Sequence, residues 1–114
     1  MIIDSHCHPH FPQFADRSDE LVANMRAQGV VAAIAVCTSC QEADDLLHLA
    51  TRHREFLPTL GVHPNADPQS ECDPQQILQM LEKHPQFIAV GEAGLDYVRE
   101  KCPRKLQQQR FETQ

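Results

Sequence analysis

Four apolar runs rich in β-branched residues punctuate the chain: Ile2-Ile3, Val30 to Val36, Leu57 to Val62 and Phe87 to Val90. Each predicts a short buried strand. Between them the apolar positions change period. Leu21, Val22 and Met25 fall on one face of a helix over about 17–28, which Gly29 stops from the position after its end. Ala43, Leu46, Leu47 and Ala50 make the inward face of a second helix, opened by the capping-box pattern Ser39-Cys40-Gln41-Glu42. A third begins at Asp73-Pro74-Gln75-Gln76, with an N-cap, a proline at the first helical position and a glutamine placed to close the box. Its stripe is Ile77, Leu78 and Leu81. A fourth starts near Pro103 and is still running at Gln114.

The order is β-α repeated four times, with strand starts roughly 28 residues apart. Such alternation implies a parallel sheet with crossover helices, either an arc of a (β/α) barrel or an open doubly wound sheet. No G-x-G-x-x-G turn follows any strand, so dinucleotide binding has no support. With 114 residues, the chain is one domain.

The C-terminal ends of parallel strands form the functional face of α/β folds, and here they are polar. The first run ends at His6 and His8, the second at Val36-Cys37-Thr38, the third at Gly61-Val62-His63-Pro64 and the fourth at Val90-Gly91-Glu92. Residues i and i+2 of a strand share a side, so His6 and His8 can offer nitrogens to one cation while Cys7 points away. Glu92 can add an oxygen from another strand. Two histidines and a carboxylate suit a catalytic divalent metal with open positions.

Charge sharpens this picture. The chain carries a net charge of −6, against the bulk electrostatics of a protein that coats nucleic acid. Residues 1–98 hold five Lys/Arg against fourteen Asp/Glu, a net of −9. Residues 99–114 hold Arg99, Lys101, Arg104, Lys105 and Arg110 against Glu100 and Glu112, a net of +3. The plain reading of that basic segment is a solvated helix face, and the functional one is a site for an anion. No apolar run approaches the ~20 residues that span a bilayer, and the opening lacks the basic n-region of a signal peptide, so a cytoplasmic protein without membrane association is expected. Five irregularly spaced cysteines (Cys7, Cys37, Cys40, Cys72 and Cys102) are expected to be free thiols. Cys37-Thr38-Ser39-Cys40 is a C-x-x-C leading from a strand into a helix. Ordinary cysteines are the expectation there, a redox dithiol the alternative. His48, His53 and His84 read as solvated helix histidines, and His10 as a residue of the first loop.

The segments Ile3-Asp4-Ser5-His6-Cys7-His8, Gly61-Val62-His63-Pro64 and Gly91-Glu92-Ala93-Gly94-Leu95-Asp96-Tyr97 together resemble the TatD family of metal-dependent deoxyribonucleases. That family belongs to the amidohydrolase-like metallohydrolases, built on a TIM-type barrel. The resemblance implies that His6 and His8 are ligands of a first metal. Glu92 would be the carboxylate that bridges or supports the metal pair, and His63 a polar active-site group near the substrate phosphate. Asp4 and Asp96 would be supporting residues. It further implies one or two divalent ions (Mg, Mn or Zn), DNA as substrate, and phosphodiester cleavage by a metal-activated water. Arg99 and Arg104, on the functional face after Glu92, are the candidates for contact with substrate phosphate.

A (β/α)₈ barrel takes about 250 residues. The resemblance therefore covers an N-terminal half, residues 1–114, of about four βα units ending within the fourth helix. The family's further ligands, two histidines and an aspartate from later strands, have no counterpart here. An incomplete or inactive fragment is thus expected, with open strand edges suited to self-association. The alternatives are a metallohydrolase of the same superfamily acting on a non-nucleic substrate, and a non-catalytic truncated product.

Overall fold

The computed structural model describes residues 1–114. Four parallel strands, β1 (Ile2–Cys7), β2 (Val30–Ala35), β3 (Phe56–Leu60) and β4 (Ala89–Val90), lie in the order β1-β2-β3-β4. Helices α1 (Ser18–Ala27), α2 (Ala43–Arg52) and α3 (Pro74–Lys83) join successive strands, and α4 (Arg104–Thr113) follows β4. Sequential strand order has no switch point, so the sheet is an arc of a barrel and not a doubly wound sheet. Val22, Ala33, Ala35, Leu46, Phe56, Leu60, Ile77 and Phe87 fill the layer between strands and helices.

The helix signals act largely as their chemistry dictates. Gly29 takes φ +75°, which ends α1 and turns the chain into β2. The Asp73 carboxylate accepts from the Gln75 N–H at 2.9 Å, with Pro74 in the first turn of α3. The second helix departs from expectation. Ser39 Oγ does accept from the Gln41 N–H, but a single 3₁₀ turn, Cys40–Glu42, precedes α2. Glu42 does not close the box, because its carboxylate accepts from the Thr38 N–H (2.8 Å) and hydroxyl (2.7 Å) instead.

Three further expectations are corrected. The fourth strand shrinks from Phe87–Val90 to Ala89–Val90, since the Phe87 N–H turns back to the His84 carbonyl and pairing starts only where Ile88 donates to Pro58. His53 is buried, not solvated. It caps the end of α2, with Nε2 3.0 Å from Ser18 Oγ and its ring edge-on to Phe56. Cys40 and Cys72 form a disulfide, their Cα atoms 6.3 Å apart, because the turn before α2 faces the segment before α3; Cys7, Cys37 and Cys102 stay free.

The sheet curls, and this positions the functional face. Thr59 Oγ1 accepts from the Cys37 N–H (3.1 Å) and donates to the Gly91 carbonyl (2.7 Å). Above it the Glu92 N–H donates to the Cys37 carbonyl at 2.7 Å, so the tips of β2 and β4 meet over β3. That crossing needs Gly61: a Cβ there would stand 2.6 Å from the Gly91 carbonyl carbon. At the open ends, β1 is exposed along nearly its whole length, and Ile2, Ile3, Val31, Ile88 and Val90 remain accessible.

Candidate metal centre

The curl brings the end of β4 to the end of β1, although these are the outermost strands. His6 Nε2 lies 3.2 Å from His8 Nε2 and 3.6 Å from Glu92 Oε2, and the ligand atoms of His6, His8 and Glu92 all lie within 4.8 Å of one another. Donors around an ion at about 2.1 Å stand roughly 3.0–3.4 Å apart in octahedral or tetrahedral sets, so little movement is needed to enclose one. Strand alternation performs as expected. Cys7 turns to the other side, where its Sγ donates to the Ile34 carbonyl at 3.3 Å. Burial, aided by Asp4, pushes that thiol up to about 12, so it is no competing thiolate ligand.

Hydrogen bonds fix what each ring can do. His8 Nδ1 sits 2.8 Å from the Val36 carbonyl, which can only accept. The proton is therefore on Nδ1, and Nε2 carries the free lone pair that a cation needs. Phe11 stacks on the His8 ring, with centroids 4.7 Å apart and planes 9° apart, and holds its plane. The His6 N–H is held by the Asp4 carboxylate at 3.0 Å, which stiffens the backbone between Asp4 and His6. His63 has the opposite tautomer. Its Nδ1 accepts from the Asn65 N–H at 2.9 Å, so Nε2 bears the proton, and it points toward Glu92 Oε1 at 3.5 Å. His63 is thus a donor beside the carboxylate and not a further lone pair.

The residues that hold His63 escaped the sequence reading. The Asn65 Oδ1 accepts from the Cys102 N–H and from Gln107 Nε2, while Asn65 Nδ2 donates to the Asp96 carbonyl. Gln107, fully buried, also donates to the Asp96 and Cys102 carbonyls and accepts from the Asp96 N–H. Arg110, 5% exposed, donates to the carbonyls of His63 (2.6 Å) and Pro64 (2.7 Å) and pairs with Glu71. Gln114 grips both backbone groups of Val62 with its side-chain amide. Gln107, Arg110 and Gln114 recur at i, i+3 and i+7, one face of α4. That spacing was legible, but a polar stripe reads as solvated until something is seen to cover it.

The His10 side chain is buried, with Nε2 3.0 Å from Glu42 Oε2, and is not among the converging ligand atoms. Burial opposes the ionisation of Glu42, yet hydrogen bonds from His10 and from the N–H and hydroxyl of Thr38 bring its carboxyl down to about 2. Asp96 is also held below the usual carboxylate range, chiefly by the Arg99 N–H, with help from Asn65 and the Val98 N–H. Arg99 reaches the site: with His63, Glu92 and Asp96 it lines one cleft. Arg104 points elsewhere, paired with Glu100 and lying 4.7 Å over the Tyr97 ring.

A parallel βα arc that gathers imidazoles and a carboxylate at its strand ends has the build of a TIM-type metallohydrolase. The chain belongs to the TatD related DNase family, whose profile matches residues 3–114. It is 34% identical over 103 residues to a 3'-5' ssDNA/RNA exonuclease TatD of Enterobacter lignolyticus, covering 90% of this chain and 40% of the relative. Identity to a human deoxyribonuclease, TATDN3, is 31% over 105 residues, covering 84% of this chain and 38% of that one. The crystal structure of the TatD homologue YjjV from Escherichia coli superposes with a TM-score of 0.88 at 30% identity, over 98% of this chain and 44% of that protein. The chain thus spans about two fifths of the length of the curated relatives it matches. The donor set fits a metal-dependent family: two imidazole nitrogens, one with its tautomer fixed for coordination, face one carboxylate. No helix is long and apolar enough to cross a membrane.

Proposed function

We propose that this chain carries the first part of a metal-dependent phosphodiester hydrolase acting on nucleic acid, DNA in the first instance. His6, His8 and Glu92 would hold one divalent ion, with Mg, Mn and Zn all compatible with mixed nitrogen and oxygen donors. The convergence of these three side chains from opposite ends of the sheet carries the reading. When bound, such an ion supplies Lewis acidity toward a phosphoryl oxygen and makes a coordinated water more acidic. The chain's own residues do the rest. His63 holds a proton on Nε2 beside Glu92, where it can donate to a phosphate oxygen. Of the two arginines, Arg99 is the one we assign to substrate phosphate, because Arg104 is occupied by Glu100 and Tyr97. A cytoplasmic setting stays part of this proposal, with three cysteines as thiols in its favour and the Cys40–Cys72 disulfide against it.

The test is titration of the chain with Mn²⁺, followed by paramagnetic broadening of backbone amide signals. Broadening should centre on residues 6–8 and 92 and vanish in His8→Ala and Glu92→Ala. Uniform broadening, or broadening that survives both substitutions, would refute the metal centre.

A further inference from the structure

A second, polar cavity of about 350 Å³ adjoins the metal centre. Its walls come from three loops at the same end of the sheet: Thr38 and Ser39 after β2, His63 and Asn65 after β3, and Arg99 and Lys101 after β4. His63 and Arg99 line both this cavity and the cleft that holds Glu92, so the two spaces share a wall.

The charge on the wall is out of balance. The chain as a whole is acidic, and two arginines of the same basic segment are already paired, Arg104 with Glu100 and Arg110 with Glu71. Lys101 has no carboxylate within ion-pair distance. Arg99 has only Asp96, at 3.8 Å, and that carboxylate already accepts from the N–H groups of Val98 and Arg99. Asp67 also lines the cavity, but its carboxylate is turned to the Gln69 N–H at 2.8 Å. One unpaired cation, Lys101, and one held only by a long contact, Arg99, set beside the Ser39 hydroxyl, make a receptor for an anion with several oxygens. The lining includes one aromatic ring, the His63 imidazole, and one apolar residue, Ala66. Charged and polar groups make up the rest of the wall, which suits phosphate and sugar better than a nucleobase.

We propose that this cavity is a phosphate subsite, which holds a phosphate of the substrate strand next to the one at the metal centre, without regard to base. The proposal rests on the nucleic-acid reading above and assigns new residues to it: Lys101 as the principal cation, with Thr38, Ser39 and Asn65 lining the same pocket. Its consequence is that a strand is gripped at two phosphates, so register along the backbone is set independently of sequence.

The experiment uses the chain without metal and follows the amide signals of Thr38, Ser39, Asn65 and Lys101 by NMR. Three probes are titrated: inorganic phosphate, a short deoxythymidine oligonucleotide, and the same oligonucleotide with an uncharged methylphosphonate backbone. The two anions should move these four signals and the uncharged strand should not. Lys101→Ala, a change at an exposed position, should weaken oligonucleotide binding about three- to tenfold and lower the slope of log affinity against log salt by about 0.7. Tighter binding of the oligonucleotide than of phosphate would identify the strand as the ligand, and equal binding would identify free phosphate. Signals that stay still with both anions, or that move equally with the uncharged strand, would overturn the subsite. This failure is separable from failure of the metal centre: Mn²⁺ broadening at residues 6–8 and 92 with a silent cavity would refute the subsite alone, and a responsive cavity without site-specific broadening would refute the metal centre alone.

Discussion

Two histidines of the same residue type, His8 and His63, are given opposite proton placements by their neighbours. A carbonyl takes the Nδ1 proton of His8, and an N–H occupies Nδ1 of His63. The side chain of Asn65, three of whose contacts lead to Gln107, Cys102 and Asp96, keeps the Asn65 N–H aimed at His63. Substituting Asn65 by Ala should therefore mix the His63 tautomers, read as a change in the ¹⁵N shifts of the imidazole nitrogens, while His8 shifts stay constant. Unaltered His63 shifts would show that the backbone alone sets the proton. A second residue-scale expectation concerns Glu42. Its folded-state carboxyl is depressed from 4.5 to about 2, so the stability it contributes is present above pH 4.5 and is lost as pH falls toward 2. Glu42→Gln should flatten the decline of chemical-denaturation midpoint across that window and leave the profile above pH 5 parallel to that of the parent. An equally steep decline in the variant would assign the acid sensitivity to other carboxylates.

At the scale of elements, α4 behaves less as a packing helix than as a clamp on loops. Its buried groups are Gln107 and Arg110, while Phe111 on its surface is half exposed. Arg110 satisfies two carbonyls of the segment that carries His63 and neutralises Glu71 in the approach to α3. Replacing it with Met keeps much of the volume and strands those acceptors, which should cost about 2–4 kcal/mol. The measurement is urea denaturation of Arg110→Met. A loss within about 0.5 kcal/mol, the range of an ordinary surface change, would mean that water replaces the guanidinium without penalty. The same clamp explains why β3 stops at Leu60. From Val62 onward the backbone is bonded to a side chain of α4 and, through the His63 N–H, to the Thr38 carbonyl.

At the scale of the whole molecule, the arc has two unpaired strand edges, and apolar side chains of β1, β2 and β4 face outward. Such edges template association. The isolated chain should therefore elute from size exclusion, with light scattering, as a concentration-dependent oligomer. With His6, His8 and Glu92 as its only converging ligands, it should cleave DNA negligibly in Mg²⁺ or Mn²⁺. A cooperatively melting monomer with enzyme-like nuclease rates would contradict both expectations. Joined to the remaining strands of a barrel, the same residues should regain activity, and His6→Ala or Glu92→Ala should abolish it.

Much of this protein is written locally. Apolar runs separated by capped amphipathic stretches were enough to define four βα units, because strand and helix periods and cap chemistry depend on neighbours in sequence. The i, i+2 placement of His6 and His8 is equally local, as is the stop at Gly29. What the linear pattern could not hold is the curvature of the sheet. Glu92 meets His6 only because Thr59 and the Cys37 carbonyl draw β4 over β3, at a crossing that admits no side chain on Gly61. Tautomers were likewise beyond reach, since each depends on which backbone group a distant loop presents. The burial of His53, the diversion of Glu42 from its capping box and the pairing of Cys40 with Cys72 belong to the same class. A polar side chain has several partners within its chemical means, and only packing between remote segments selects one. The apolar pattern thus determined which elements form, and the tertiary structure decided what their polar residues do.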